Sequence, residues 1–426
     1  MHQPLPHNLT APRFAALAPF SVRNFRFQWP ADVLTQWAIE MEVLILGWYV
    51  LSETKSVLLL TLYGALLYLG TLISPMFGVV GDRIGHRNVL TAMRAVYALL
   101  AVTLMALAFA GLLDSLVVFI IATLTGLVRP SDIGVRSALV AHIMPPQYLI
   151  AAMSISRTTI DSARVAGALS GAGLLATLGM GPAYLVVATF YVLGTLLTWC
   201  VNAKPVPHPV EAAANAARRA SPWRDLKEGI VYIWTTPRLL AAMWVAFLAN
   251  LTAYPFTTGL LPYVAKDIYH IDQTGLGYLL ASFNAGALAG SVALMLVGDR
   301  ISVPMSRVTL VAAVGWYALL LMFGQAQHPT MGMFYLVLAG FMQSICMVSL
   351  VVVLMGEASE KFRGRVMGVR MLAIYSLPLG LLAAGALIGS IGFVATVILY
   401  CLSGLVFIAL IALLWRADIW HERART

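Results

Sequence analysis

The pentapeptide Val80-Gly81-Asp82-Arg83-Ile84 recurs as Val297-Gly298-Asp299-Arg300-Ile301, a shift of 217 residues in a chain of 426. Each copy closes a long apolar run and leads into further basic residues. An acid–base pair at the same edge of two apolar halves restricts the chain to a duplicated membrane architecture. Two such halves can rock against each other around a site between them.

The rest of the chain fits this restriction. Hydrophobic residues make up 60% and charged residues 11%, whereas soluble domains carry about a quarter charged residues. The apolar runs are about 20 residues long, enough to cross a bilayer. Twelve spans are predicted, at about 27–51, 57–80, 89–112, 115–138, 149–178, 181–202, 238–263, 274–297, 304–325, 331–355, 364–389 and 392–415. This is an all-α integral membrane fold of two pseudo-symmetric six-helix bundles around a central cavity. The net charge is +9, and its placement is informative. Outside the spans, only Lys55 and Lys266 fall on the side away from the termini. By the positive-inside rule both termini are expected in the cytoplasm. The basic balance is therefore read as membrane orientation near anionic lipid, and no nucleic-acid partner is expected. Cys200, Cys346 and Cys401 lie in apolar runs without metal-ligand spacing, so no metal and no cofactor are expected. Residues 1–24 show no short apolar run before a small-residue cleavage site, so no cleavable signal is expected there.

Connections between spans are short, with one exception. Residues 203–222 are rich in proline and alanine, and 223–237 form an amphipathic piece expected to lie in the membrane interface. The predicted organisation is a first bundle at 1–202, a linker at 203–237 and a second bundle at 238–426.

The first copy of the repeat sits in Gly78-Val79-Val80-Gly81-Asp82-Arg83-Ile84-Gly85-His86-Arg87. Glycines allow a sharp turn, and Asp82 would be favoured near a helix N-terminus of the opposite half. The plain alternative is a turn that fixes topology. The pattern Gly-x-x-x-Asp-Arg-x-Gly-x-Arg after the second span resembles the signature of the major facilitator superfamily. The second copy keeps Asp299 and Arg300 but has Ser302 where glycine stands in the first. Arg363-Gly364-Arg365 before the eleventh span is a third matching piece. The resemblance implies alternating access, with Gly78, Asp82, Arg83, Gly85, Arg87, Asp299, Arg300, Arg363 and Arg365 in gating loops. Asn24-Phe25-Arg26, Gly47-Trp48-Tyr49-Val50-Leu51 and Met144-Pro145-Pro146 resemble the enterobactin-exporter and macrolide-efflux branch. That likeness implies a proton-driven exporter of siderophores or drugs, monomeric, in a bacterial inner membrane.

Charges inside spans are costly in lipid and usually face a cavity or a partner. Glu40 and Glu42 lie in the middle of the first span, roughly 200° apart around the helix. One is expected to face the cavity and the other a neighbouring helix. The cavity-facing carboxyl is the candidate proton site, because burial favours the protonated form; the alternative is that both are permanently ion-paired. Arg129, Asp132 and Arg136 form a stripe at i, i+3, i+7 on the fourth span, and Arg157, Asp161 and Arg164 one at i, i+4, i+7 on the fifth. The stripes are expected to meet. The deeper group, Arg129, Asp132, Asp161 and Arg164, then forms either a structural lattice or an anion site, since Arg suits carboxylate and phosphate. Other candidate cavity residues are Gln36 and Trp37 in the first half and Asn250, Tyr254, Asn284, Gln343 and Tyr375 in the second. The second half is thus expected to offer neutral groups.

There is no phosphate-binding Gly-x-x-x-x-Gly-Lys and no nucleophile–base–acid set, so neither an ATP-driven pump nor an enzyme is expected. The expected function is proton-coupled export of a small amphipathic or anionic compound. An importer or facilitator of an organic anion or siderophore is the alternative, and a membrane receptor or scaffold without flux is the reading of another class.

Overall fold

No water serves the backbone within a bilayer, so apolar runs of this length satisfy their own N–H and C=O groups as helices. The computed structural model describes residues 15–202, 222–300, 303–359 and 362–415, all helical apart from short turns. In the first half α1 is Arg23–Thr54, α2 the pair Val57–Leu66 and Ser74–Ile84, α3 His86–Phe109, α4 Ser115–Ile143, α5 Pro146–Leu178 and α6 Met180–Trp199. In the second half α7 is Pro237–Ile268, α8 Gln273–Val297, α9 Met305–Gln325, α10 Pro329–Glu357, α11 Arg363–Ile391 and α12 Phe393–Leu414. Ten of these twelve are long and apolar enough to cross a membrane. The exceptions have local causes: α2 is broken in its middle, and Arg157, Asp161 and Arg164 dilute the hydropathy of α5.

The duplication extends from the loop motif into the packing. An added Cβ on Gly70 of α2 would stand 2.0 Å from the Leu127 carbonyl oxygen of α4, and one on Gly126 would stand 1.9 Å from that of Leu66. In the second half a Cβ added to Gly286 of α8 would likewise collide with the Val337 carbonyl oxygen of α10, and one added to Gly340 of α10 with that of Phe283. Each half therefore crosses two helices backbone to backbone through a reciprocal pair of small residues. The turn from α5 to α6 uses Gly179 at φ +79°, and that from α11 to α12 uses Gly392 at φ +83°.

Three spans depart from the simple helices the sequence predicts: α2, α7 and α11, the last interrupted between Ala373 and Ser376. The Gly70 notch coincides with the break in α2, which passes through a tight turn at Leu69–Leu72. In α7, Pro255 has no N–H for the Leu251 carbonyl. The helix widens to π geometry at Ala249–Ala253, and the Leu251 oxygen faces Gly380 of α11. A second π turn carries α7 on to Ile268, beyond the predicted end at 263.

The halves meet at the end away from the basic loops. There α5 packs along α8, and Val57–Leu66 along Ser376–Ile391. Gly47 faces Pro262, Gly385 faces Thr61, and Gly277 faces Ala172. At the basic end, among the described residues, Ser74–Ile84 and Arg363–Ala373 share little or no packing, and Arg363–Ala373 touches the first half at the Leu69–Leu72 turn of α2. The halves are joined at one end and part at the other.

Residues 222–235 form a linker helix, Pro222–Thr235, that docks on the second half. Glu228 pairs with Arg365 at 2.8 Å, and Tyr232 stacks on Phe362 with centroids 4.3 Å apart. Ile233 is buried. Tyr232 and Ile233 thus face protein, while Ile230, Val231 and Trp234 of the same helix are exposed.

Candidate transport cavity and its charge network

Three carboxylates of α1, Asp32, Glu40 and Glu42, are held in different ways. Asp32, nearest the basic end, is buried and accepts a hydrogen bond from Gln28 Nε2 at 2.7 Å. It pairs with Arg94 of α3, which also donates to Thr198 Oγ1 of α6. Arg136 and Asp132 of α4 lie within electrostatic reach of Asp32, and both Asp132 oxygens are buried without a hydrogen-bond partner among the described residues. Two acids and two bases thus share the interior of the first half. Such a cluster holds because each charge, once out of water, needs the others.

Glu42 lies ten residues further along and points into the first half. It is 7% exposed and accepts from the Tyr191 hydroxyl of α6 at 2.7 Å. Arg129 acts on it electrostatically, among the buried Tyr63, Tyr97 and Tyr184. Glu40 points elsewhere. Its side chain is 22% exposed and stands 3.6 Å from Arg164 Nε of α5. Gly167 of α5 lets α1 approach here, since a Cβ on it would lie 2.6 Å from that of Glu40.

On α5, Arg157 Nε reaches Asp161 Oδ2 at 3.2 Å and Arg164 Nη1 reaches Asp161 Oδ1 at 3.7 Å. The two stripes do not interlock as the sequence predicts. The α4 stripe turns toward α1 and α3, where Asp132 and Arg136 lie within electrostatic reach of Asp32. The α5 stripe is more open, and Arg157 is 65% exposed. Glu40 stands between them, within electrostatic reach of Arg129 and paired with Arg164. The cause is rotation about the helix axes, which residue spacing within one helix does not define.

Across the gap, the Tyr254 hydroxyl of α7 accepts from Gln343 Nε2 of α10 at 2.7 Å, and its ring meets Trp316 edge-on at 5.1 Å. Arg164 of the first half and Arg370 of α11 both act on that hydroxyl. The other predicted cavity residues are placed differently. Asn250 donates to Ala246 O of its own helix at 2.9 Å. Trp37 donates to Ser170 Oγ at 2.7 Å and packs on Phe190, both within the first half. Gln36 is buried on α1, and Asn284 is half-buried on α8. Tyr375 sits at the break of α11 beside Thr71 of α2.

A profile of the Major Facilitator Superfamily matches residues 29–377 and, a second time, 243–425. The chain belongs to this superfamily. No curated protein matches it in sequence. Among solved structures it is similar to the nucleoside transporter NupG, at 13% identity and a TM-score of 0.70, covering 94% of this chain and 100% of that one. A peptide transporter POT in complex with sulfate gives 14% identity and 0.70, covering 97% and 99%. A bacterial homologue of the human lysosomal transporter Spinster, in an inward-facing and unoccupied conformation, gives 14% and 0.67, covering 95% and 100%. At these identities the likeness is one of fold. By family and fold the chain is a transporter and not an enzyme.

The signature loop of this superfamily is built here around Gly85, at φ +92° between α2 and α3. Arg87 donates to the Trp199 carbonyl at 2.5 Å and ties the loop to the end of α6. Gly78 lies within Ser74–Ile84, and Arg83 and Arg300 are exposed. The side chains of Asp82 and Asp299 lie outside the described part, as do residues 301 and 302. Arg363 Nε donates to Met355 O at 3.1 Å, and Arg365 holds the linker helix.

Two arginines of the network escape the sequence reading. Arg94 is a lone base in the apolar run of α3, a signal overlooked beside the denser charges of α4 and α5. Arg370 follows Arg363 and Arg365 closely enough to pass for a loop anchor, yet it stands seven residues into α11.

Proposed function

We propose that this transporter couples the movement of a small amphipathic anion to protons, by alternating access around the cavity between its halves, with Glu40 as the proton site. The Glu40–Arg164 pair carries the reading. A proton on Glu40 cancels the charge that faces Arg164 and leaves the guanidinium for an anion. An anion on Arg164 in turn favours the protonated carboxyl. The two ligands help each other, and the linkage is reciprocal. Cooperative binding of this kind suits cotransport, which an inward proton gradient drives as uptake. With the basic end in the cytoplasm, as the charge asymmetry suggests, the arrangement is the inward-open one. The protein then resides in the cell membrane with cytoplasmic termini.

Export, as in the branch the sequence resembles, needs the opposite linkage, in which substrate and proton exclude each other. A cationic or neutral amphipathic compound that meets Glu40 directly would satisfy it. Proteoliposomes carrying a trapped pH dye separate the two. Cotransport acidifies the lumen when a transported anion is added outside, and antiport makes it alkaline. Glu40→Gln is expected to abolish the pH response and to keep anion exchange. A Glu40→Gln protein with wild-type proton coupling would remove Glu40 from the mechanism.

A further inference from the structure

Arg370 belongs to none of the pairs above. It closes Arg363–Ala373, the first piece of α11, where the helix C-terminus favours a cation. Among the described residues no carboxylate stands at ion-pair distance from it. Its electrostatic neighbours are the Tyr254 hydroxyl of its own half and, across the gap, Arg157. A guanidinium at this depth facing another cation is costly unless something anionic comes between them.

The local charge count gives the same answer. Arg157, Arg164 and Arg370 face the gap with Asp161 and Glu40, three bases against two acids. Arg129 acts on Glu42 deeper in the first half and Glu40 acts on Arg129, and adding Arg129 and Glu42 to the count gives four bases against three acids, the same excess. The gap is therefore one negative charge short. The neutral donors and the aromatic edge of Tyr254 stand beside it.

We propose that the cavity holds a monovalent organic anion of the carboxylate type, its charged end bridging Arg370 of α11 to Arg157 and Arg164 of α5. The apolar body of the anion lies against Tyr254, beside the Gln343 amide. Arg is the residue suited to this contact, because its planar fork matches a carboxylate in two hydrogen bonds. Since the arginines come from opposite halves, the anion also offsets the repulsion that would oppose closure of the basic end. The substrate class rests on the transport reading above, but the site stands or falls by binding alone.

The test uses the full chain, purified in detergent at fixed ionic strength, with benzoate as the probe. Benzamide serves as its neutral counterpart and benzyltrimethylammonium as a cation. Benzoate is expected to raise the melting temperature in a saturable way, and benzamide and the cation are not. Arg370→Gln is expected to weaken benzoate about tenfold or more, the loss of one charged hydrogen-bond donor, and Arg370→Lys to retain part of the affinity. Should Arg370→Gln fail to fold, the exposed Arg157→Gln serves the same comparison. Equal shifts with benzoate and benzamide, a preference for the cation, or wild-type benzoate affinity in the folded glutamine variants would overturn the site. Benzoate binding of this kind in a protein that moves nothing across proteoliposomes would instead end the transport reading and leave the site standing.

Discussion

The two halves share a frame and differ in what fills it. Both cross two helices at paired glycines, and both turn their fifth helix into the sixth through a glycine of positive φ. The first half then places Asp32, Glu42, Arg94, Arg129, Asp132 and Arg136 in its interior. At similar positions the second half uses neutral pairs, such as Thr252 with the Tyr317 hydroxyl at 2.6 Å and Thr309 with Ser349 at 2.8 Å. Its one deep base on the gap among the described residues is Arg370. A carbonyl pressed against a glycine leaves no room for a Cβ, whereas an interior polar pair can be exchanged for another that satisfies itself. The frame is therefore the constrained part, and the charges are what distinguish the halves.

Breaking the charged interior is expected to have the largest effect. Asp32→Ala strands Arg94 in the first half and is expected to cost about 3–5 kcal/mol, the loss typical of removing one partner of a buried pair. Thermal unfolding in detergent measures it, and a loss below that of the surface pairs would show that Arg94 finds another acid. Next come the glycine crossings. Gly126→Ala and Gly340→Ala are each expected to cost roughly 1–3 kcal/mol by overpacking. A clear inequality between the two would break the equivalence of the halves.

Smaller effects sharpen the contrast between the glutamates. Glu42→Gln weakens the acceptor of the Tyr191 hydroxyl and is expected to cost about 1–2 kcal/mol. The partly exposed Glu40→Gln is expected to change stability by no more than about 0.5 kcal/mol while uncoupling protons. The reverse order would exchange their roles. A similarly small loss is expected in the second half, where Arg238 and Glu357 form a pair at 2.8 Å that is partly open to solvent. Arg238→Ala is expected to cost at most about 1 kcal/mol, and a larger drop would show that this pair helps hold the linker end together.

Much of this was legible in the residues themselves. A bilayer leaves helices as the means of burying apolar runs, so span count and duplication follow from hydropathy and one repeated pentapeptide. The divergence of Glu40 and Glu42 follows from helical periodicity, and in the structure they do face α5 and α6 respectively. Partners on other helices were less accessible. Arg94 and Asp32 are 62 residues apart, and their meeting depends on the rotation and depth of α1 and α3. The same freedom separates the α4 and α5 stripes and turns Trp37 into its own bundle. Arg370 was hidden by its basic neighbours, because the sequence does not mark where a loop ends and a cavity begins.

The central claim is that the halves hinge at the end where α5 meets α8 and open at the basic end until an anion is held between them. Ile150 of α5 and Met295 of α8 are exposed near that open end. Spin labels at Ile150→Cys and Met295→Cys, with the exposed Cys200 replaced by serine, report their separation in lipid nanodiscs. A shorter distance population is expected to grow when benzoate is added, most strongly at acid pH. A single distance distribution, unmoved by benzoate at acid and at alkaline pH, would contradict the account.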